Sequence, residues 1–161
     1  ITYVDTSTLI KLLVAEPGSD RAREVWDASD RLATVVLTAV EGAATLAAGE
    51  RCGRITGEQA EHLLVTCRGL LTQMSIVAVT SELVDQAAVL AKAQALRGYN
   101  AVHLAAALSI GADVLTSADR ALCVAASRCG LHVADPLQAL VRDRADGSCG
   151  GGTSPTSWDD S

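Results

Sequence analysis

Acidic side chains follow three apolar segments of this chain. Asp5 ends the first segment, Glu41 and Asp119 follow two later ones, and Asn100 stands where a fourth acid would complete a quartet. Carboxylates at strand ends or in first helical turns can converge at one edge of a sheet, where they repel one another unless a cation lies between them. Oxygen ligands suit Mg²⁺ or Mn²⁺. The pattern therefore predicts metal-assisted phosphodiester chemistry, and Asn100 is its main departure.

Each of these residues also has an ordinary structural role that the sequence leaves open. Asp5 and Asp119 are favoured helix N-caps, and Asn100 follows Gly98-Tyr99 at the predicted start of a helix, where it would cap equally well. Glu41 would favour the dipole of its own helix. An Asp-to-Asn change, natural or introduced, is also the smallest one that would inactivate such a site while keeping its shape.

Short apolar strands alternate with helices along the chain, which predicts an α/β three-layer sandwich with a short, mostly parallel sheet flanked by helices. The expected strands are 1–5, 31–36, 75–79, 113–117 and 131–134, and the expected helices are 7–14, 19–28, 38–53, 57–74, 81–96, 100–110 and 119–128. Sites in such sheets form beyond the carboxyl ends of the strands. The three acids fall at that edge.

Composition sets the remaining bounds. The 161 residues fit one domain, predicted as 1–143, followed by a disordered Gly/Ser/Thr/Asp tail at 144–161. The net charge of −6 argues against a non-specific nucleic-acid coat. The five cysteines are odd in number and form no CxxC pair, so neither a disulfide framework nor a zinc site is expected. No run has the length of a membrane span and no leader opens the chain, so we expect a cytoplasmic protein without a membrane partner.

Four segments together carry a resemblance to a known family. They are YVDTS at the N-terminus, TAVEGAA around Glu41, RGYNAVHLAAAL at 97–108 and TSADRAL at 116–122. With these segments the chain resembles PIN domains, and more narrowly the VapC toxins of type II toxin–antitoxin pairs. The resemblance implies a Mg²⁺-dependent endoribonuclease (Mn²⁺ being a substitute) that leaves a 5′-phosphate and a 3′-hydroxyl. It also implies a homodimer held inactive by a cognate antitoxin, whose helix lies in an apolar groove and sends Arg or Lys into the acidic site.

The same resemblance implies roles for individual residues. Asp5, Asn100 and Asp119 would bind metal, and Glu41 would be a catalytic acid that orients metal or water. That family normally has Asp where this chain has Asn100, so weaker metal affinity and lower activity are expected. Independently of the resemblance, Thr6, Ser7 and Ser117 lie where they could hydrogen-bond a ligand carboxylate or a phosphate, and Thr6 and Ser7 could equally cap a helix. Arg97 and Arg120 flank acidic positions, which makes them candidate contacts to RNA phosphates or else solvated surface charges. His103, three residues after Asn100 and on the same helix face, is expected to be a structural core histidine rather than a general base.

Two other function classes compete with a nuclease. A PIN fold disabled at Asn100 could bind antitoxin or RNA without cutting, and metal titration would separate that module from an enzyme. A phosphotransfer or receiver domain would also place Asp after its first strand. It would need a second acid beside Asp5 or a phospho-accepting Asp after the third strand, and also a late Lys. Here Thr6 follows Asp5, Thr80 follows the third strand, and no Lys lies beyond Lys92.

Overall fold

The computed structural model describes residues 1–138, in which five strands alternate with seven helices. The predicted boundary at 143 and the predicted tail lie outside the described residues. No helix of residues 1–138 combines the length and apolarity needed to cross a bilayer. The elements in chain order are β1 Thr2–Val4, α1 Thr6–Leu13, α2 Ser19–Asp27, β2 Leu32–Val35, α3 Thr38–Arg51, α4 Gly57–Leu71, β3 Ser75–Val77, α5 Ser81–Gln94, α6 Gly98–Ser109, β4 Val114–Thr116, α7 Arg120–Arg128 and β5 His132–Ala134.

The five strands form one parallel sheet in the order β3-β2-β1-β4-β5. Strand β1 is central, with Tyr3 paired to Ala33 of β2 on one side and to Leu115 of β4 on the other. The chain builds outward first through β2 and β3, and then in the opposite direction through β4 and β5. The switch point of the sheet therefore lies between β1 and β4, where open α/β sheets form their binding crevices.

Helices cover both faces of the sheet. Tyr3 and Val4 are consecutive in β1, so their side chains point to opposite faces. Tyr3 belongs to a buried cluster with residues of α5, α6 and α7, and Val4 to a second cluster with residues of α1 and α4. The predicted three-layer α/β sandwich is confirmed. Helix α6 packs closely because its buried side chains are mostly small, as at Ala101 and Ala105.

The structure decides two N-cap alternatives that the sequence left open. Asp5 is the N-cap of α1, and its side chain accepts a hydrogen bond from the Ser7 backbone N–H. Helix α6 begins at Gly98 with Arg97 as N-cap, so Asn100 lies inside the first turn. The N-cap interpretation of Asn100 was therefore wrong, because Gly98-Tyr99 is helical rather than a turn. Helix α4 begins with a capping box, in which the Gln59 N–H donates to Thr56 Oγ1 across 3.2 Å and the Thr56 N–H donates to Gln59 Oε1 across 2.8 Å.

Candidate active site

A cavity of about 370 Å³ opens at the carboxyl edge of the sheet. All four predicted catalytic positions line it, although they come from four different elements or their flanking loops. The lining residues are Asp5, Thr6, Ser7, Ile10, Lys11, Glu16, Glu41, Thr45, Asn100 and Asp119. Parallel strands with a common direction bring these side chains together, as the sequence pattern predicts.

Asp5 is buried, and side chains from two directions hold one of its carboxylate oxygens. Oδ2 accepts hydrogen bonds from Ser7 Oγ at 2.6 Å and from Ser117 Oγ at 2.7 Å, besides the Ser7 N–H at 3.3 Å. Oδ1 accepts no hydrogen bond within residues 1–138 and lies 3.5 Å from His103 Nε2. Asp5 therefore keeps one oxygen available on a fixed carboxylate.

Glu41, in the first turn of α3, is held in the same way. Its Oε2 accepts hydrogen bonds from Thr6 Oγ1 at 2.6 Å and from His103 Nε2 at 2.7 Å. Burial alone would raise the pKa of Glu41, but the His103 and Thr6 hydrogen bonds and the His103 charge together lower it below the ordinary value. Glu41 is therefore a carboxylate at neutral pH. We call Asp5 and Glu41 the tethered pair.

Asn100 and Asp119, which we call the helix-start pair, are held more locally. Asp119 is the N-cap of α7, and its Oδ1 accepts the Leu122 N–H at 3.0 Å. Partial burial acts to raise the pKa of Asp119, but hydrogen bonds from the Leu122 N–H, the Asn100 amide and the Ala121 N–H lower it below its usual value. The Asn100 amide therefore favours a charged Asp119.

The remaining predicted substrate contacts do not line the cavity. Ser117 is fully buried behind Asp5, where its hydroxyl also accepts the Asp119 N–H at 2.9 Å. Arg97 and Arg120 are exposed at the starts of α6 and α7. The positive charge of Arg97 is a further, smaller cause of the lowered pKa of Asp119. Ser117 thus holds the Asp5 carboxylate, whereas Arg97 and Arg120 lie on the outer surface.

The sequence-based prediction missed one residue near the acids, Lys11, and gave another, His103, only a structural role. Lys11 lines the cavity although it is 8% exposed, and its Nζ donates to Glu16 Oε1 and to the Pro17 carbonyl, each at 2.9 Å. It lies one helical turn after Ser7, and that i, i+4 spacing was the available signal. His103 is indeed buried in the core, but it also contacts both members of the tethered pair.

The donor set fits a hard divalent cation in its chemistry. Carboxylate, amide and hydroxyl oxygens face one cavity, and these are the ligands that Mg²⁺ and Mn²⁺ prefer. In residues 1–138, however, no three His, Cys, Asp or Glu side chains already form a compact metal-ligand group. A bound cation would therefore have to draw the acids together against their mutual repulsion, or use water to bridge to some of them.

An apolar groove runs from the acidic cavity along α1, α3 and α4. Its wider part, about 610 Å³, includes Leu13, Val14, Ile55 and Leu63. A smaller hollow of about 120 Å³ includes Ile10, Val14 and Ile55, so it shares Ile10 with the acidic cavity and Val14 and Ile55 with the wider part. Within the described part of the chain, the groove and the acids form one continuous surface.

Comparison with known proteins gives consistent results. The PIN domain family model matches residues 2–127. The chain is 35% identical over 136 residues to Ribonuclease VapC45 of Mycobacterium tuberculosis, covering 83% of this chain and 94% of the relative.

Two solved structures share the fold at lower identity. A crystal structure of Mycobacterium tuberculosis VapC20, described as a Sarcin-Ricin loop cleaving toxin, matches with a TM-score of 0.62 and 20% identity over 81% of this chain and 96% of that chain. A toxin–antitoxin complex from Klebsiella pneumoniae matches with a TM-score of 0.57 and 18% identity over 74% and 87% of the respective chains.

Proposed function

This chain belongs to the PIN-domain family, among the relatives of the VapC ribonucleases, and we propose that it is a divalent-metal-dependent endoribonuclease neutralised by an antitoxin. The observation that carries the proposal is the convergence of Asp5, Glu41, Asn100 and Asp119 on one cavity at the carboxyl edge of a parallel sheet. These residues are far apart in sequence. Asp5 and Asp119 also serve as helix N-caps, but capping accounts for neither Glu41 nor Asn100, nor for the shared cavity. A cation-dependent reaction accounts for all four.

The residues present would hold the cation through oxygen. We assign Asp5, Asn100 and Asp119 as its ligands, with Glu41 orienting the cation or its water. When bound, a cation such as Mg²⁺, or Mn²⁺ in its place, supplies an acidified water and neutralises charge that builds on the phosphoryl oxygens. Cleavage then leaves a 5′-phosphate and a 3′-hydroxyl. Thr6 and Ser7 fix the carboxylates of the tethered pair from the first turn of α1.

Asn100 lowers the charge of the site without removing an oxygen ligand. Its amide oxygen can still coordinate, but the site carries one negative charge fewer than a four-acid site. The charge interaction at stake is about 4 kcal/mol at 4 Å for an effective dielectric of 20, and less where solvent reaches it. We therefore propose that this chain is an attenuated nuclease, in which activity is reduced far more than folding.

Arg97 and Arg120 are proposed as contacts to RNA phosphates. They are exposed on the two helix starts that carry Asn100 and Asp119. RNA bound there would meet positive charge at the mouth of an acidic cavity. We expect this local positive charge to favour RNA binding although the overall charge of −6 disfavours it.

The apolar groove is the proposed seat of the antitoxin. An amphipathic helix would place its apolar face against Leu13, Val14, Ile55 and Leu63. Because the groove continues into the acidic cavity, an Arg or Lys at the end of that helix would reach Asp5 and Glu41. A homodimer is also proposed, and light scattering of the purified chain tests it.

The function is tested by incubating total RNA with this chain and with its Asn100→Asp variant in Mg²⁺. We expect the Asp variant to cut, EDTA to stop it, and the unmodified chain to be much slower. Asp27→Asn, an exposed carboxylate outside the cavity, is the matched control and should change nothing. If neither form cuts or binds metal when free of antitoxin, the nuclease proposal fails.

A second candidate is a binding module that holds antitoxin or RNA without cleavage. Two observations favour it: the neutral amide at position 100, and the absence of a compact three-ligand metal group within residues 1–138. This candidate predicts antitoxin or RNA binding that EDTA does not affect. It also predicts that Asn100→Asp restores neither cleavage nor cation binding.

A further inference from the structure

His103 is buried beneath the cavity and joins β1 to the tethered pair. It is 1% exposed, and its Nδ1 lies 2.9 Å from Tyr3 Oη, with the two rings edge to face at a centroid distance of 5.8 Å. Its Nε2 lies 2.7 Å from Glu41 Oε2 and 3.5 Å from Asp5 Oδ1. The imidazole thus has a fixed partner at each nitrogen.

The direction of the hydrogen bond to Glu41 follows from the chemistry of the acceptor. An ionised carboxylate only accepts, so His103 Nε2 must carry the proton and donate it. The Thr6 hydroxyl donates to the same oxygen at 2.6 Å. Oε2 of Glu41 therefore accepts two hydrogen bonds, whereas Oε1 accepts none from residues 1–138.

We propose that His103 is a positioning residue that, with Thr6, holds Oε2 of Glu41 so that Oε1 is presented to the cation. This inference rests on the proposed function. The terminal torsion of a Glu side chain is broad, so a carboxylate held at neither oxygen would rotate freely. Two donors on one oxygen remove that freedom. Donors behind a metal ligand commonly change metal affinity or activity by about 10- to 100-fold when they are lost.

The competing interpretation is that the Tyr3–His103–Glu41 network serves folding alone. Both interpretations predict that a damaged network lowers stability. They differ in the cation affinity of the folded protein, because a purely structural histidine has no bearing on where Oε1 of Glu41 points. Cation affinity is therefore the readout that separates them.

Two polar substitutions at position 103 form a matched pair. The amide nitrogen of His103→Gln reaches about as far as Nε2, so this variant can still donate to Glu41. The shorter His103→Asn places its amide near Nδ1, so it keeps the Tyr3 contact and loses the one to Glu41. We would measure the Kd of Mn²⁺ for the full chain by calorimetry, for both variants and the unmodified protein, with circular dichroism to verify folding.

We expect the Mn²⁺ Kd to rise roughly 10- to 100-fold in His103→Asn and to stay close to the unmodified value in His103→Gln. In a Glu41→Ala background, the difference between the two variants should disappear, because the group they position is gone. If His103→Asn does not fold, Thr6→Val removes the other donor to Oε2 and should also weaken Mn²⁺ binding.

Equal Mn²⁺ affinity of folded His103→Asn, His103→Gln and unmodified protein would overturn the positioning role while leaving the proposed function intact. Persistence of the difference in the Glu41→Ala background would overturn it too, since His103 would then act through another group. Lack of Mn²⁺ binding in every form, together with lack of RNA cleavage by Asn100→Asp, would overturn both the function and the positioning role.

Discussion

The tethered pair and the helix-start pair face the same cavity but are held by different kinds of contact. Asp5 and Glu41 are fixed by side chains from distant parts of the chain: Ser117 is 112 positions from Asp5, and His103 is 62 positions from Glu41. Asp119 is fixed largely by the backbone of its own helix, through the Leu122 N–H. We therefore expect the tethered pair to keep its geometry when a cation binds, and the helix-start pair to change more.

The largest expected effect is the loss of a tethered carboxylate. In the Asn100→Asp background, Asp5→Asn should lower the RNA cleavage rate by roughly 10²- to 10³-fold, a size typical of removing one preorganised electrostatic group. Asp119→Asn should cost clearly less, because Asp119 is less buried than Asp5 and is held mainly by the backbone of its own helix. Single-turnover cleavage rates in Mg²⁺ measure both. Equal losses would remove the distinction between the two pairs.

The next largest effect is expected on the helix-start side, where Asn100→Asp adds a negative charge beside Asp119. Mn²⁺ should bind at least about tenfold more tightly, which corresponds to about 1.4 kcal/mol. This is less than the charge interaction of about 4 kcal/mol given above, because solvent screens it. In EDTA the same variant should unfold at a lower temperature, because the added charge repels Asp119. Thermal unfolding with and without Mn²⁺ tests this. A variant that is equally stable in both conditions would contradict the placement of a cation beside position 100.

A smaller effect is expected from the exposed arginines of the helix-start side. Arg97→Gln and Arg120→Gln should each weaken RNA binding modestly and reduce the salt dependence of its affinity by about 0.7 per lost phosphate contact. Neither arginine lines the cavity, so the Mn²⁺ Kd should change little in Arg120→Gln. In Arg97→Gln it should fall slightly, because the Arg97 charge acts on Asp119. RNA affinity should be measured over a range of salt concentrations, with Arg23→Gln as the control. Arg23 is exposed on α2, so its loss shows the effect of removing a positive charge elsewhere on the surface.

The smallest effect concerns a cysteine behind the tethered pair. Cys123 donates to the Ser117 carbonyl at 3.2 Å, and burial is the main cause that raises its pKa to about 12. The native thiol should therefore resist iodoacetamide at pH 8, whereas exposed Cys52 reacts. As the pH rises, the unfolded protein loses the Cys123 proton before the folded protein does. The free energy of unfolding should therefore fall as the pH rises above about 9. Mass spectrometry of the labelled protein tests the difference in reactivity. Rapid labelling of Cys123 in the native protein would contradict the prediction, because it would show that solvent reaches the thiol.

Much of the fold could be predicted from the sequence, but the contacts that hold the tethered pair could not. The alternation of strands and helices, the parallel sheet and the shared edge of Asp5, Glu41 and Asp119 follow from local pattern, and the structure has them. The start of α6 was misplaced because Gly98 usually marks a turn, whereas here the extended Arg97 caps a helix that includes it. The bonds from Ser117 to Asp5 and from His103 to Glu41 join residues whose proximity exists only after folding. No local signal predicts such contacts.

The most direct measurement is the crystal structure of the Asn100→Asp variant grown in Mn²⁺, with anomalous diffraction to locate the ion. We predict Mn²⁺ in the acidic cavity, within coordinating distance of Asp5 and of the position-100 side chain, with the Ser7 and Ser117 hydrogen bonds to Asp5 retained. A cavity without Mn²⁺ at a concentration that supports RNA cleavage, or an ion bound away from Asp5, would contradict the account.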